Sequence, residues 1–205
     1  LMAAEYEVPG DFSSIQGAVN ASVDGDLIRV GPGSWPGRLD FRGKQITIES
    51  TDGPQATTLD ANGVGSVVIF KASETSNSVL DGFTITGGTG SSLNGEITGG
   101  GIYVFEASPT IRNCIITNNS AYFGGGVGIW QGSPVIRNCT FTNNHADGDG
   151  GGLRLHEYTD LLIEECVFTN NTANVFGGGV AYGNYSEGLH INCFFDSNTA
   201  GLRGG

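Results

Sequence analysis

The chain has 205 residues, of which 35 are glycine, six are proline and two (Lys44 and Lys71) are lysine; 38% are hydrophobic and the formal net charge is −12. That length and apolar content fit one domain with a continuous core, while the charge leaves no basic stripe for phosphates and argues against nucleic acid and anionic membrane surfaces as partners. No run of about 18 apolar residues occurs, so no transmembrane segment is expected, and glycine without a collagen period points to recurrent tight turns.

In chain order, Ser13 with Gln16 reads as a capping box for a short helix over residues 13–23, with Phe12, Ile15, Ala18 and Val19 apolar and Asp24-Gly25-Asp26 ending it. Strand-like runs follow at Leu27–Val30, 45–49, Thr57–Asp60, 67–70 and 79–86. Residues 87–98 (GGTGSSLNGEIT) read as a loop inserted at one bend, and 184–188 as a smaller one.

From Ser108 the sequence repeats itself. Cys114, Cys139, Cys166 and Cys193 recur at spacings of 25, 27 and 27, each followed five residues later by Asn119, Asn144, Asn171 and Asn198. Glycine triplets at 99–101, 124–126, 150–152 and 177–179 keep the same beat, and Gly204-Gly205 opens a fifth. A fixed period of this size marks a solenoid. Within each unit apolar residues alternate (Val127/Ile129, Cys139/Phe141, Leu153/Leu155, Cys166/Phe168), which is strand periodicity.

The expected fold is therefore all-β: a right-handed parallel β-helix of about seven coils with a short N-terminal capping helix. It forms one domain, with residues 1–26 as cap, 27–98 as irregular coils and 99–205 as regular repeats of 25–27 residues. Equivalent residues then stack at the interstrand spacing of roughly 4.8 Å, so that sequence columns become ladders. Cys and Phe point inward, Asn occupies a bend and bonds to its stacked neighbours, and glycine turns the chain where a Cβ would clash. A chain stopping where another coil would open leaves that coil uncovered, so a longer parent protein or end-to-end self-association through this C-terminal coil is expected.

The columns also nominate a site. Four residues after each triplet stand Phe105, Trp130, His156 and Gly183, followed by Glu106, Gln131, Glu157 and Asn184; two after the triplet stand Tyr103, Gly128, Arg154 and Ala181. If these columns face outward, Tyr103, Phe105, Glu106, Trp130, Gln131, His156 and Glu157 offer aromatic rings beside hydrogen-bonding groups, a surface suited to sugar; they read equally as ordinary exposed side chains. Arg154, His156 and Glu157, together in one coil, are the only catalytic candidates, since lyase chemistry needs a base and a charge partner on one face. Asp147 and Asp149 offer two carboxylates to calcium, or form a solvated turn; no other cofactor is expected. The cysteines lack the close pairs of a zinc site and read as core-filling thiols, although neighbouring coils bring Cys114 near Cys139 and Cys166 near Cys193 for bridging in an oxidising compartment.

The opening segment, from YEVPGDFSSIQGAVN to FRGKQITIES, resembles the cap and first coil of bacterial pectin-lyase-like β-helix proteins. The later part resembles the repeat of polymorphic outer-membrane proteins, which pairs Phe-x-x-Asn with Gly-Gly-Ala-aliphatic. Here the first element is Phe141 to Asn144, Phe168 to Asn171 and Phe195 to Asn198, and the second reads Gly-Gly-Gly before Ile102, Val127, Leu153 and Val180. The second resemblance implies a cell-surface or secreted adhesin-like passenger without catalytic residues. Fold alone does not decide function, and two readings stand. One is a non-catalytic extracellular structural or adhesin-like β-helix contacting polysaccharide or a cell-surface protein, and building filaments if it self-assembles. The alternative is a polysaccharide-binding module or a polysaccharide lyase or glycoside hydrolase.

Overall fold

A computed structural model describes residues 2–93 and 95–205 and, of Leu93, the backbone alone; residue 94 of the inserted segment lies outside the described residues. The chain winds into a parallel β-helix whose three long sheets run along the axis. One has eight strands, from Glu5–Val8 through Leu27–Val30 to Glu187–Ile191; one has seven, from Gly33–Pro36 to Phe194–Asp196; and one has six, from Leu39–Asp40 to Val180–Tyr182. Six coils carry all three faces, and partial coils precede and follow them. A fourth sheet of four two-residue strands, Ser120–Ala121 to Thr199–Ala200, runs along one corner of the regular repeats. Among the described residues no helix is long and apolar enough to cross a membrane.

The helix is shorter than its sequence pattern, Ile15–Ala21, and is capped by Ser14, not Ser13: Ser14 Oγ accepts from Gly17 N–H at 3.1 Å. Gln16 does not close a capping box. Its side chain pairs with the backbone of Asp40, accepting from the amide at 2.8 Å and donating to the carbonyl at 3.1 Å. At the other end Lys44 Nζ donates to the carbonyls of Val19 (2.5 Å), Asn20 (3.1 Å) and Ser22 (2.6 Å), satisfying acceptors that a helix C-terminus leaves free and placing a cation at its negative pole. Ile15, Ala18 and Val19 are thereby buried over the first coil, and Glu5–Val8 joins the largest sheet beside Leu27–Val30. The run at 79–86 is two strands, Val79–Asp81 and Thr84–Thr86, turned at Gly82.

The regular coils owe their register to two neighbouring asparagines with separate tasks. The first of each pair, Asn118, Asn143 and Asn170, takes left-handed backbone (φ 53°, 55° and 56°), with Ser197 in the last coil. The second forms the ladder. Asn144 Nδ2 donates to Asn171 Oδ1 at 2.9 Å and to the Ile116 carbonyl at 2.9 Å, while its Oδ1 accepts from the Asn119 backbone (3.2 Å) and Asn119 Nδ2 (3.1 Å). Asn171 repeats the scheme with Asn198 and the Phe141 carbonyl. Every polar atom of a buried amide is thus used, which is the condition under which burying it is not costly.

Inside this ladder Phe141, Phe168 and Phe195 stack with centroids 4.3 and 4.8 Å apart. Cys114, Cys139 and Cys166 are buried, all four cysteines are free, and each of those three thiols donates to the carbonyl two residues earlier at 3.1–3.2 Å. The triplets mark where successive backbones come closest: a methyl on Gly152 would lie 2.5 Å from the Gly179 carbonyl oxygen and 3.0 Å from Phe168. In the last coil the inward side chains lose their cover, so that Phe195 is 43% exposed where Phe168 is fully buried.

Asn144→Ala takes the acceptor from the Asn119 backbone N–H and removes one hydrogen bond each from Asn119 Nδ2, the Ile116 carbonyl and Asn171 Oδ1. It is expected to cost roughly 2–4 kcal/mol in urea-induced unfolding at an unchanged m value; a loss below about 0.5 kcal/mol would show that the ladder does not hold the coils.

Candidate functional site

The six-stranded sheet turns its outer face toward the segment at 87–98, which is structured where the sequence predicts a loop. Ser91–Leu93 and Glu96–Thr98 form an antiparallel hairpin, and the backbone of Ile97 then accepts from Tyr122 and Phe123, both at 3.0 Å. The hairpin folds over the column of residues two after each triplet. Thr98 occupies the space left by the missing side chain of Gly128, where a Cβ would come within 2.5 Å of Thr98 Oγ1.

The expectation that the columns face solvent is corrected for Tyr103 and His156, which are 5% and 6% exposed, whereas Phe105, Trp130 and Gln131 are half-buried and Glu106 and Glu157 exposed. Tyr103 turns to a groove it shares with Arg38, Ile69, Lys71 and Ser92, where burial, helped by the Glu106 charge, pushes its phenol up to about 12. Phe105 packs on Tyr103 at 6.4 Å within its own strand. Glu106 and Gln131 project from left-handed bend positions (φ 49° and 56°).

The register of the second column also changes. His156 N–H bonds to the Ile129 carbonyl and Thr159 bridges Gly132, so one more residue fills this bend than in the coil before. Glu157 is the extra residue, Asn184 takes the same place in the next coil, and the left-handed column continues with Tyr158 and Tyr185 (φ 54° and 57°). Those two tyrosines are exposed and stacked, with centroids 5.2 Å apart. The 26-residue step from the triplet at 124 to that at 150 places Glu157 under Gln131; the one-residue insertion moves it off that column.

Trp130, Arg154, His156 and Glu157 do converge, in a cleft of about 350 Å³ lined also by Glu96, Phe123, Asp149, Phe176 and Asn184. The half-buried Trp130 ring lies on His156 at 4.8 Å and 26°, and Phe123 meets His156 edge-on at 5.3 Å. His156 shares a hydrogen bond with Thr98 Oγ1 at 3.3 Å. Arg154 donates through Nη1 to the Leu155 carbonyl at 2.7 Å, faces Asp149 through Nη2 at 3.5 Å, and sits over the Phe123 ring at 5.8 Å. Its buried Nε has no hydrogen-bond partner among the described residues. Burial pulls the guanidinium below its usual value against the opposing pull of Asp149 and Glu96, and burial with the Arg154 charge pushes His156 down to about 4, so the imidazole is neutral at pH 7.

The columns after the triplets miss half of this cleft. Thr98, Phe123, Asp149 and Phe176 each stand immediately before a triplet, and Thr98 is bridged to Phe123 in the stacked register. This preceding column is as regular in the sequence as the others. Asp147 and Asp149 do not share a ligand position: Asp147 accepts from Asn174 (3.4 Å) and meets His145 (3.3 Å), whereas Asp149 is engaged by Arg154 and by Phe176 N–H (3.2 Å). Among the described residues no group of three or more His, Cys, Asp or Glu is arranged to hold a metal ion.

Residues 57–203 match the model of the right handed beta helix region. The chain belongs to the right-handed β-helix family. Among solved structures it is similar to Escherichia coli YbhC, at 16% identity and a TM-score of 0.64 over 97% of this chain, which spans 66% of that one. It is also similar to the pectin methylesterase from carrot (10% identity, TM-score 0.45, 94% of this chain and 82% of that one). A third similar structure is the Aspergillus niger pectin methylesterase (12% identity, TM-score 0.40, 98% and 86%). None of the curated proteins matches the chain.

The depressed pKa of His156 has a defined sign. The unfolded chain takes up a proton near pH 6.5 and the folded one near 4, so the stability tied to the neutral ring is complete above 6.5 and declines as pH falls through that window. We expect a loss of roughly 2–3 kcal/mol between pH 6.5 and 4 from this group, absent from His156→Gln. An equal acid slope in the variant, measured by chemical unfolding, would contradict the assignment.

Proposed function

We propose that this chain is a secreted or surface-displayed β-helix that contacts saccharide through the Trp130 cleft without transforming it. The observation that carries the reading is the half-buried Trp130 ring, held flat by His156 at the mouth of a cleft whose polar groups are Arg154, Asp149, Glu96 and Glu157. A fixed aromatic surface with a few convergent polar groups is how small-molecule sites obtain both affinity and orientation. The acidic, lysine-poor composition fits life outside the cell.

Support for a non-catalytic role comes from the state of the candidate groups. Arg154 is held by the Leu155 carbonyl and Asp149, and His156 is neutral, covered and bonded to Thr98. Neither has a substrate-facing partner for proton transfer of the kind a lyase or hydrolase needs.

Trp130→Ala is expected to weaken binding of the best glycan found on an array at least roughly tenfold while the fold is retained, any loss of packing against His156 being read separately by urea unfolding. Undiminished binding would remove the cleft from the account, and turnover of a polysaccharide that is lost in Arg154→Lys would overturn the non-catalytic half.

A further inference from the structure

The charges of the cleft narrow what it can hold. Three carboxylates, Glu96, Asp149 and Glu157, line it against one guanidinium, Arg154, which Asp149 already faces at 3.5 Å. His156 adds no positive charge at neutral pH. Arg154 is itself mostly covered, its side chain being 14% exposed, so the field at the mouth is set by the exposed Glu157 and Glu96. The whole chain, at −12, works in the same direction at longer range.

Hydrogen-bond chemistry leads to the same place. Ionised carboxylates only accept, so Glu96, Asp149 and Glu157 favour a ligand that donates, while the unpartnered Nε–H of Arg154 is covered and takes no part. Hydroxyl groups donate. A carboxylate or sulfate on the ligand brings acceptors alone, and brings them beside like charges.

Building on the saccharide reading above, we propose that the Trp130 cleft selects glycans free of acidic groups, with hydroxyls donating to the flanking carboxylates while a sugar face rests on Trp130. Acidic polysaccharide is repelled from this cleft. The neighbouring groove bearing Arg38 and Lys71 is the part of the same face with the opposite charge.

The test is calorimetric titration of the intact chain with cellohexaose, xylohexaose, mannohexaose and hexagalacturonate, at low salt and at 0.5 M salt. The expected result is binding of at least one neutral hexasaccharide, at least tenfold tighter than hexagalacturonate and little changed by salt. In the variant carrying Glu96→Gln and Glu157→Gln, hexagalacturonate binding should rise several-fold, most at low salt, while stability is retained. Hexagalacturonate binding as tightly as the best neutral probe, and lost in Trp130→Ala, would overturn the selectivity and leave the saccharide reading standing. Hexagalacturonate binding that survives Trp130→Ala but is lost in Arg38→Ala places acidic glycan in the other groove and supports it. Absence of binding by every probe would overturn the saccharide reading and the selectivity together.

Discussion

Parallel hydrogen bonding between successive coils is the constraint from which the rest of this structure follows. Once the backbone of one turn is bonded to the next, each side chain has as its neighbour the equivalent residue about 25 positions away, and a choice made in one coil is imposed on those beside it. The asparagine ladder shows what this allows. A single buried amide would be expensive, but a column of them satisfies itself, each Oδ1 receiving from the coil on one side and each Nδ2 donating to the other. The glycine triplets show what it forbids, since backbones this close leave no room for a Cβ.

The cleft arises where the repeat is broken. A strictly periodic chain would present three flat faces. Here a hairpin inserted at one bend folds over the six-stranded sheet and forms a wall, and the vacancy at Gly128 receives its Thr98. One extra residue in each of two later bends then lifts Glu157 and Asn184 out of the column and throws Tyr158 and Tyr185 outward as an exposed stacked pair. The regular part of the molecule supplies rigidity, so that Trp130 and His156 are held in place by neighbours above and below. The irregular part supplies shape and charge. This division is common to solenoids, whose insertions fall on one face and often make the binding surface.

Much of this was legible in the sequence because a ladder is a one-dimensional object. The 25- to 27-residue spacings of Cys, Asn and Gly-Gly-Gly are enough to define coils, an inward Cys/Phe column and a polar bend, and to place Trp130 beside His156 and Arg154. What resisted was whatever the period does not encode. Whether residues 87–98 hang free or fold back depends on tertiary contacts of Ile97 and Thr98, so the burial of Tyr103 and His156 had no local signal. The single-residue insertion at Glu157 is a change in spacing of one in a bend, too small to assign to a position by counting. The cap shifted from Ser13 to Ser14 because two adjacent serines are equivalent to a pattern, and Gln16 found a partner in Asp40 instead of the helix end. The column preceding each triplet was visible throughout, but its mixed chemistry, Thr98, Phe123, Asp149 and Phe176, does not look like a ladder until the cleft joins it.

The chain contains two tryptophans, Trp35 and Trp130, and Trp35 is tied to the first coils through its Nε1 hydrogen bond to the Gly31 carbonyl. A Trp35→Phe variant therefore leaves Trp130 as the sole indole reporter. The most direct measurement is its fluorescence during titration with the tightest neutral oligosaccharide: a saturable change in Trp130 emission, with the midpoint found by calorimetry, is the predicted result. Calorimetric binding of that sugar with the emission of Trp130 unmoved would contradict the placement of the ligand in this cleft.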